Sequence, residues 1–154
     1  MADTPIFDIQ QAHRHFSVDC FNRTWDNMDK DGGRSTEENM EMLHTAIASL
    51  WHWSQREDVT DKNLSVGYWQ VSRVYCLIGQ PNNARRYGML SLQYAKDLSP
   101  FFKGYAYETL ARAEMIAHKR VIMLTHLEKA RDMLSQIEED DDRRLLAKDL
   151  ETIK

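Results

Sequence analysis

The chain has few of the residues that tight turns and disulfides require. Its 154 residues include only six glycines, three prolines and two cysteines. Scarce glycine and proline leave few chain breaks, which favours long helices over many short strands. Cys20 and Cys76 each lie within an apolar helical pattern, so we expect buried free thiols and a reducing, cytoplasmic setting rather than a disulfide.

Long hydrophobic runs and basic clusters are also missing. No apolar segment approaches the ~18 residues of a membrane span, and the residues after Met1 do not form a charged-then-apolar signal pattern. The net charge is −4, with lysines and arginines interleaved among acids. Because nucleic-acid-binding surfaces concentrate basic charge, we do not expect nucleic acid as a partner. Because no apolar run is long enough to span a bilayer, we do not expect a membrane either.

Motifs for catalysis and metal binding are missing as well, since no nucleophile elbow or glycine-rich phosphate loop occurs. His44 and His52 would point about 80° apart on a helix, whereas metal-binding pairs are usually spaced three or four residues apart. His13 and His15 would point about 160° apart, so at most one could join a site. We therefore expect no metal, no cofactor and no enzymatic activity.

What the chain does contain is helical periodicity of apolar residues. Residues 1–7 are expected to form a loose start, bounded by Pro5. Periodicity together with capping residues then predicts helix starts at Asp8 and at the capping box Ser35-x-x-Glu38. A third helix is expected to be capped by Asn63 or Ser65. The predicted elements are hairpins over 8–57, 64–98 and 101–137 and a capping helix over 141–153.

A unit of this pattern recurs after 39 residues. With that shift Tyr68 falls on Tyr107, residues 71–73 fall on 110–112, and Gly79 falls on His118. Gly79 is the expected left-handed terminator of one helix, and Pro81 the expected start of the next. Because a lone helix hairpin cannot bury its own apolar face, repeated hairpins are expected to stack on one another.

The best-preserved copy is similar to a known repeat. The pattern Tyr68-x-x-Val71-Ser72-x-x-Tyr75-x-x-x-Gly79-x-x-x-x-Ala84 resembles the tetratricopeptide (TPR) repeat over 64–137, and by analogy over 8–57. The resemblance implies an all-α fold in which three antiparallel hairpins stack as a short superhelix with a C-terminal capping helix, in a single domain over 1–154. It assigns Ser72, Ala84 and Gly88 to close packing. The chain also looks like small bacterial TPR-like proteins that carry a tryptophan-rich segment such as 51–54.

The TPR resemblance also implies a function. In such proteins the first helix of each hairpin lines a concave groove that holds a peptide or a partner helix. The candidate groove residues, which lie off the packing stripe, are Trp69, Gln70, Arg73, Glu108 and Arg112. Arg73 and Arg112 are repeat-equivalent and could hold carboxylates of a partner, although both could instead be ordinary solvated arginines. We expect a non-enzymatic, cytoplasmic adaptor that binds a protein or peptide.

Two alternatives stay open at this stage. The first is a helical-bundle protein that binds a metal or a small ligand through His13 or His15, His44 and His52 beside the tryptophans. The second is a self-associating structural protein that dimerises through the helix over 40–53 or through the last helix. Large aromatics at helical spacing are usually core residues, so the tryptophans of 51–53 and Trp69 are expected in the core rather than in a pocket.

Overall fold

The computed structural model describes residue 4 and residues 6–154, and over these it is helical throughout, with no strand. The seven helices are α1 (Ile9–Met28), α2 (Thr36–Ser54), α3 (Asp61–Leu77), α4 (Pro81–Tyr94), α5 (Pro100–Ile116), α6 (Arg120–Leu134) and α7 (Asp140–Leu150). The all-α prediction is confirmed. None of these seven helices is long and apolar enough to cross a membrane. Pro5, the predicted boundary of the loose start, lies outside the described residues.

Local capping residues start the first two helices as predicted. The Asp8 side chain accepts a hydrogen bond from the Gln11 amide at 3.1 Å. Ser35 and Glu38 form the reciprocal capping box, in which Ser35 Oγ accepts from the Glu38 amide at 3.1 Å and Glu38 Oε2 accepts from the Ser35 amide at 2.8 Å. These bonds satisfy amides that the first turn of a helix leaves without partners.

The predicted start of the third helix is wrong. The helix begins at Asp61, so neither Asn63 nor Ser65 caps it. Ser65 is buried one turn inside, where its hydroxyl donates to the carbonyl oxygen of Ser91 on α4 at 3.0 Å. Ser65, which the sequence pattern predicts as a cap, therefore joins α3 to α4 by a buried hydrogen bond.

The turns of the hairpins α3–α4 and α5–α6 have the same backbone geometry. Gly79 and His118, which are 39 residues apart, both adopt a left-handed conformation, with φ of 77° and 57°. In both turns the next amide donates to the carbonyl five residues before it, at 2.9 Å. This bond closes the end of the helix around a left-handed residue, as in a Schellman motif. The predicted role of Gly79 is confirmed.

Contacts divide the chain into two compact units, one ending at Thr60 and one from Asp61 to Lys154. The first unit is the antiparallel pair α1–α2. In the second, α3 pairs with α4 and α5 with α6, while α3 and α4 both pack on α5, and α7 packs on α5 and α6. This packing is consistent with stacked hairpins. The TPR-like superhelix and the single domain over 1–154 stay predictions.

Small residues allow close helix packing in the second unit. The Ser72 hydroxyl donates to the carbonyl of Ala84 at 2.7 Å, and both residues are fully buried. A Cβ atom on Gly88 would lie only 2.9 Å from Cδ2 of Leu110, which shows how closely α4 approaches α5. The close-packing role predicted for these small residues is confirmed.

Buried hydroxyl groups join the two helices of the first unit. The Thr24 hydroxyl lies 2.9 Å from that of Thr45, and the Ser49 hydroxyl donates to the carbonyl of Ser17 at 2.7 Å. Cys20 is buried beside them as a free thiol, and Cys76 is likewise free and buried in the second unit. Large apolar side chains remain exposed on α1 and α2, among them Ile9, Phe16, Ile47 and Trp51.

Candidate functional site

The five predicted groove residues lie together on α3 and α5, and we call them the α3–α5 cluster: Trp69, Gln70, Arg73, Glu108 and Arg112. Gln70, Glu108 and Arg112 are buried, whereas Trp69 and Arg73 are partly exposed. Positions off the apolar stripe are expected in contact with solvent, and this expectation is wrong for the three buried residues.

Glu108 is the centre of the cluster. Its Oε2 accepts a hydrogen bond from Trp69 Nε1 at 3.0 Å. Its Oε1 accepts a charge-assisted bond from Arg112 Nε and lies 3.7 Å from Arg73 Nε. Two guanidinium groups thus share one fully buried carboxylate, and such a carboxylate requires pairing of this kind to remain charged.

The burial of these charges follows from the position of α5. A Glu and an Arg four residues apart on a helix usually form an exposed ion pair. Here, α5 packs against α3, α4, α6 and α7, so little of its circumference reaches solvent. Charged positions on a helix with neighbours on several sides become part of the interior.

Arg112 also holds the end of α7. Its Nη2 donates to the carbonyl of Asp149 at 2.9 Å and to the hydroxyl of Thr152 at 2.6 Å. A cation at the carboxyl end of a helix interacts favourably with the helix dipole. The Tyr105 hydroxyl donates to Oδ2 of Asp149 at 2.7 Å, and burial together with this carboxylate raises the pKa of Tyr105. These contacts give Arg112 a structural role in closing the second unit.

Arg73 has fewer hydrogen-bond contacts than Arg112 within the cluster. Its Nε is enclosed and has no hydrogen-bond partner among the described residues. Its side chain is 19% exposed. The neighbouring Cys76 offers no nucleophile, because burial raises the pKa of its thiol to about 11, and a protonated thiol is unreactive.

A second cluster, in the first unit, joins histidines of α1 and α2. His13 Nδ1 lies 2.8 Å from His52 Nδ1, so one ring donates and the other accepts. The edge of Trp51 contacts His13 with ring centroids 5.3 Å apart, and Phe16 lies 5.4 Å from His52. Burial, with a smaller contribution from His13, lowers the pKa of His52.

The sequence grouped His13 or His15 with His44 and His52 as an alternative site, and of these only His13 and His52 come together, from two different helices. His15 and His44 are exposed and take no part in the pair. In the described part of the chain, no group of three or more His, Cys, Asp or Glu side chains could hold a metal ion. Trp51 is 55% exposed, so its expected place in the core is wrong.

Comparison of the chain with protein-family models, with curated proteins and with solved structures gave no match. The resemblance to TPR proteins therefore rests on the residues quoted above.

Proposed function

We propose that the protein is a non-enzymatic, cytoplasmic TPR-like adaptor that binds an acidic segment of a protein or peptide at the Arg73 side of the α3–α5 cluster. The observation that carries this proposal is the partly exposed side chain of Arg73, which is 19% exposed and lies 3.7 Å from Glu108 without a close hydrogen bond from its Nε to a described residue.

The charges of the cluster explain why the ligand should be acidic. Arg112 takes the close hydrogen bond to Glu108, while Arg73 remains 3.7 Å from the same oxygen. Two guanidinium groups beside one carboxylate leave the cluster with an excess positive charge. A carboxylate of a partner could form charge-assisted hydrogen bonds, which are stronger than neutral ones, with the exposed part of the Arg73 side chain.

The packing of the second unit supports a repeat-type binding surface. The first helices of its two hairpins, α3 and α5, lie against each other, and the turns that follow them have equivalent left-handed residues. The partly exposed Trp69 ring lies in the same cluster, and its indole N–H is held by Glu108. A partly exposed aromatic ring beside a cation is typical of the anchor positions in protein interfaces.

Peptide display against the purified full chain tests the proposal. We expect enrichment of peptides with Asp, Glu or a free carboxyl terminus, and a loss of about tenfold in affinity, or about 1.4 kcal/mol, for Arg73→Gln. The matched control is Arg86→Gln, because Arg86 is exposed on α4 and outside the cluster. Arg112 is unsuitable as a test position, since its replacement would also release α7.

Two outcomes would contradict the proposal. One is the absence of any enriched acidic peptide in selections against the native chain. The other is equal affinity of Arg73→Gln and Arg86→Gln for the enriched peptides, with both variants shown to be folded by circular dichroism.

A further inference from the structure

We propose that His13 and His52 form a two-histidine site for a late first-row divalent metal ion, with Cu²⁺ as the best fit, and that the bound ion links α1 to α2. The two Nδ1 atoms lie 2.8 Å apart within one compact unit. The inference is independent of the peptide-binding proposal, which concerns residues of the other unit.

The imidazole donors indicate the kind of metal, and the distance between the nitrogens shows that one ion could reach both. A metal–imidazole bond is about 2.0–2.1 Å long, so two ligands at a right angle are separated by about 2.9 Å and two at a tetrahedral angle by about 3.3–3.4 Å. The observed 2.8 Å is the length of the hydrogen bond between the two rings, so both nitrogens already lie near the spacing that one ion requires, and imidazole donors suit Cu²⁺, Ni²⁺ and Zn²⁺. Tetragonal nitrogen sites favour Cu²⁺ and Ni²⁺, and Cu²⁺ has the highest affinity in the divalent series.

Replacing the hydrogen bond between the two imidazoles by a metal ion requires one proton to change its position. Each neutral imidazole has one N–H and one lone pair, and at present one Nδ1–H donates to the other Nδ1. Metal binding requires a lone pair on both Nδ1 atoms, so the donor ring moves its proton from Nδ1 to Nε2. No proton is released overall, and no electron is transferred.

Neighbouring rings hold the two histidines close to this arrangement. Trp51 contacts both imidazoles, with ring centroids 5.3 Å from His13 and 4.9 Å from His52. Phe16 packs on His52. Side chains that are held by packing lose little freedom when they bind a ligand. Since the described residues supply no third ligand, water would complete the coordination.

Titration of the full chain with copper(II) chloride in a weakly coordinating buffer tests the site. Calorimetry should show one equivalent bound to the native chain, and electron paramagnetic resonance should show hyperfine coupling to two imidazole nitrogens. His13→Asn and His52→Asn should each lower the affinity at least about tenfold, since the loss of even an outer-shell partner costs that much. His15→Asn and His44→Asn, on the same two helices and exposed, are matched controls and should change it less than twofold.

The proposal is wrong if the native chain binds no equivalent of Cu²⁺, or if the two controls weaken binding as much as the two site variants do. It is also wrong if the spectrum of the bound ion lacks two imidazole nitrogens. The spectrum is recorded on the native chain, so this last criterion can be applied even if a site variant fails to fold.

Discussion

Replacing Glu108 by glutamine tests whether the α3–α5 cluster is an interior ion network. The substitution keeps the size of the side chain and removes its charge. Arg112 and Arg73, with 9% and 19% of their side chains exposed, then lose their shared counterion. Removing one partner of a buried ion pair destabilises a protein by about 3–5 kcal/mol, because the other charge stays buried without compensation.

The contacts of Glu108 support a value within that range. The amide oxygen of glutamine can still accept the hydrogen bond from Trp69, which is 3.0 Å in the native chain, so that bond is retained. The amide NH₂ group can donate but not accept, and it would face guanidinium groups that also only donate. A loss of about 3–5 kcal/mol is a large part of the 5–15 kcal/mol that typically stabilises a domain.

Urea unfolding followed by circular dichroism measures this loss. We expect the midpoint to fall with an unchanged slope, which marks a change in stability rather than in the surface exposed on unfolding. The control is Glu128→Gln on α6, an exposed position where the change should stay within about 0.5 kcal/mol. A double-mutant cycle with Arg112→Gln should give a coupling energy of about 0.5–3 kcal/mol.

A cost below about 1 kcal/mol for Glu108→Gln would contradict an interior ion network in the α3–α5 cluster. Exposed ion pairs contribute about that little, because water screens them. The cluster would then be solvated, and its excess positive charge would no longer support an acidic ligand.

Two further predictions concern a turn and an ion pair. At the left-handed positions, thermal unfolding should show that His118→Gly stabilises the protein by about 1 kcal/mol and that Gly79→Ala destabilises it by a similar amount. A Cβ atom on Gly79 would meet no atom within 4 Å, so the cost of Gly79→Ala comes from the positive φ of the backbone and not from a clash. The two changes in unfolding free energy must have opposite signs, and equal signs would contradict the equivalence of the two turns. Glu114 is buried and accepts a hydrogen bond from Arg85, and this bond is the chief reason why the pKa of Glu114 lies below its usual value. The ionised Glu114 therefore stabilises the folded protein fully above about pH 4.3, the pKa of an unfolded glutamate, and this stabilisation is lost as the pH falls through the lower folded-state pKa. Glu114→Gln should cost about 1–3 kcal/mol near neutral pH and should reduce the acid-side decline of the unfolding free energy, measured as urea unfolding against pH; an unchanged decline would argue against the assignment.

The predictions that the structure confirms depend on short stretches of chain. Asp8 and Ser35 start helices because their side chains reach amides only three residues away. Gly79 ends a helix because glycine adopts positive φ without steric cost. His118 falls on Gly79 when the chain is shifted by 39 residues, and the structure adds that this non-glycine residue adopts the same left-handed conformation.

The predictions that failed depend on neighbours distant in the chain. Glu108 and Arg112 look like a surface pair in sequence, and only the packing of four other helices around α5 shows that they are interior. The sequence grouped four histidines as an alternative site, but spacing along one helix could not single out His13 and His52, which are 39 residues apart on different helices.

An all-helical chain, several helix ends and the 39-residue recurrence are thus predictable from the sequence, because apolar periodicity and capping act within a few residues. Which polar side chains are buried, which charges share a counterion and which histidines meet follow from how the helices pack. These outcomes depend on the side of each helix that its neighbours cover, and a single sequence records that only indirectly. The residues of both candidate sites are named from the sequence, whereas their contacts and burial come from the packing of the helices.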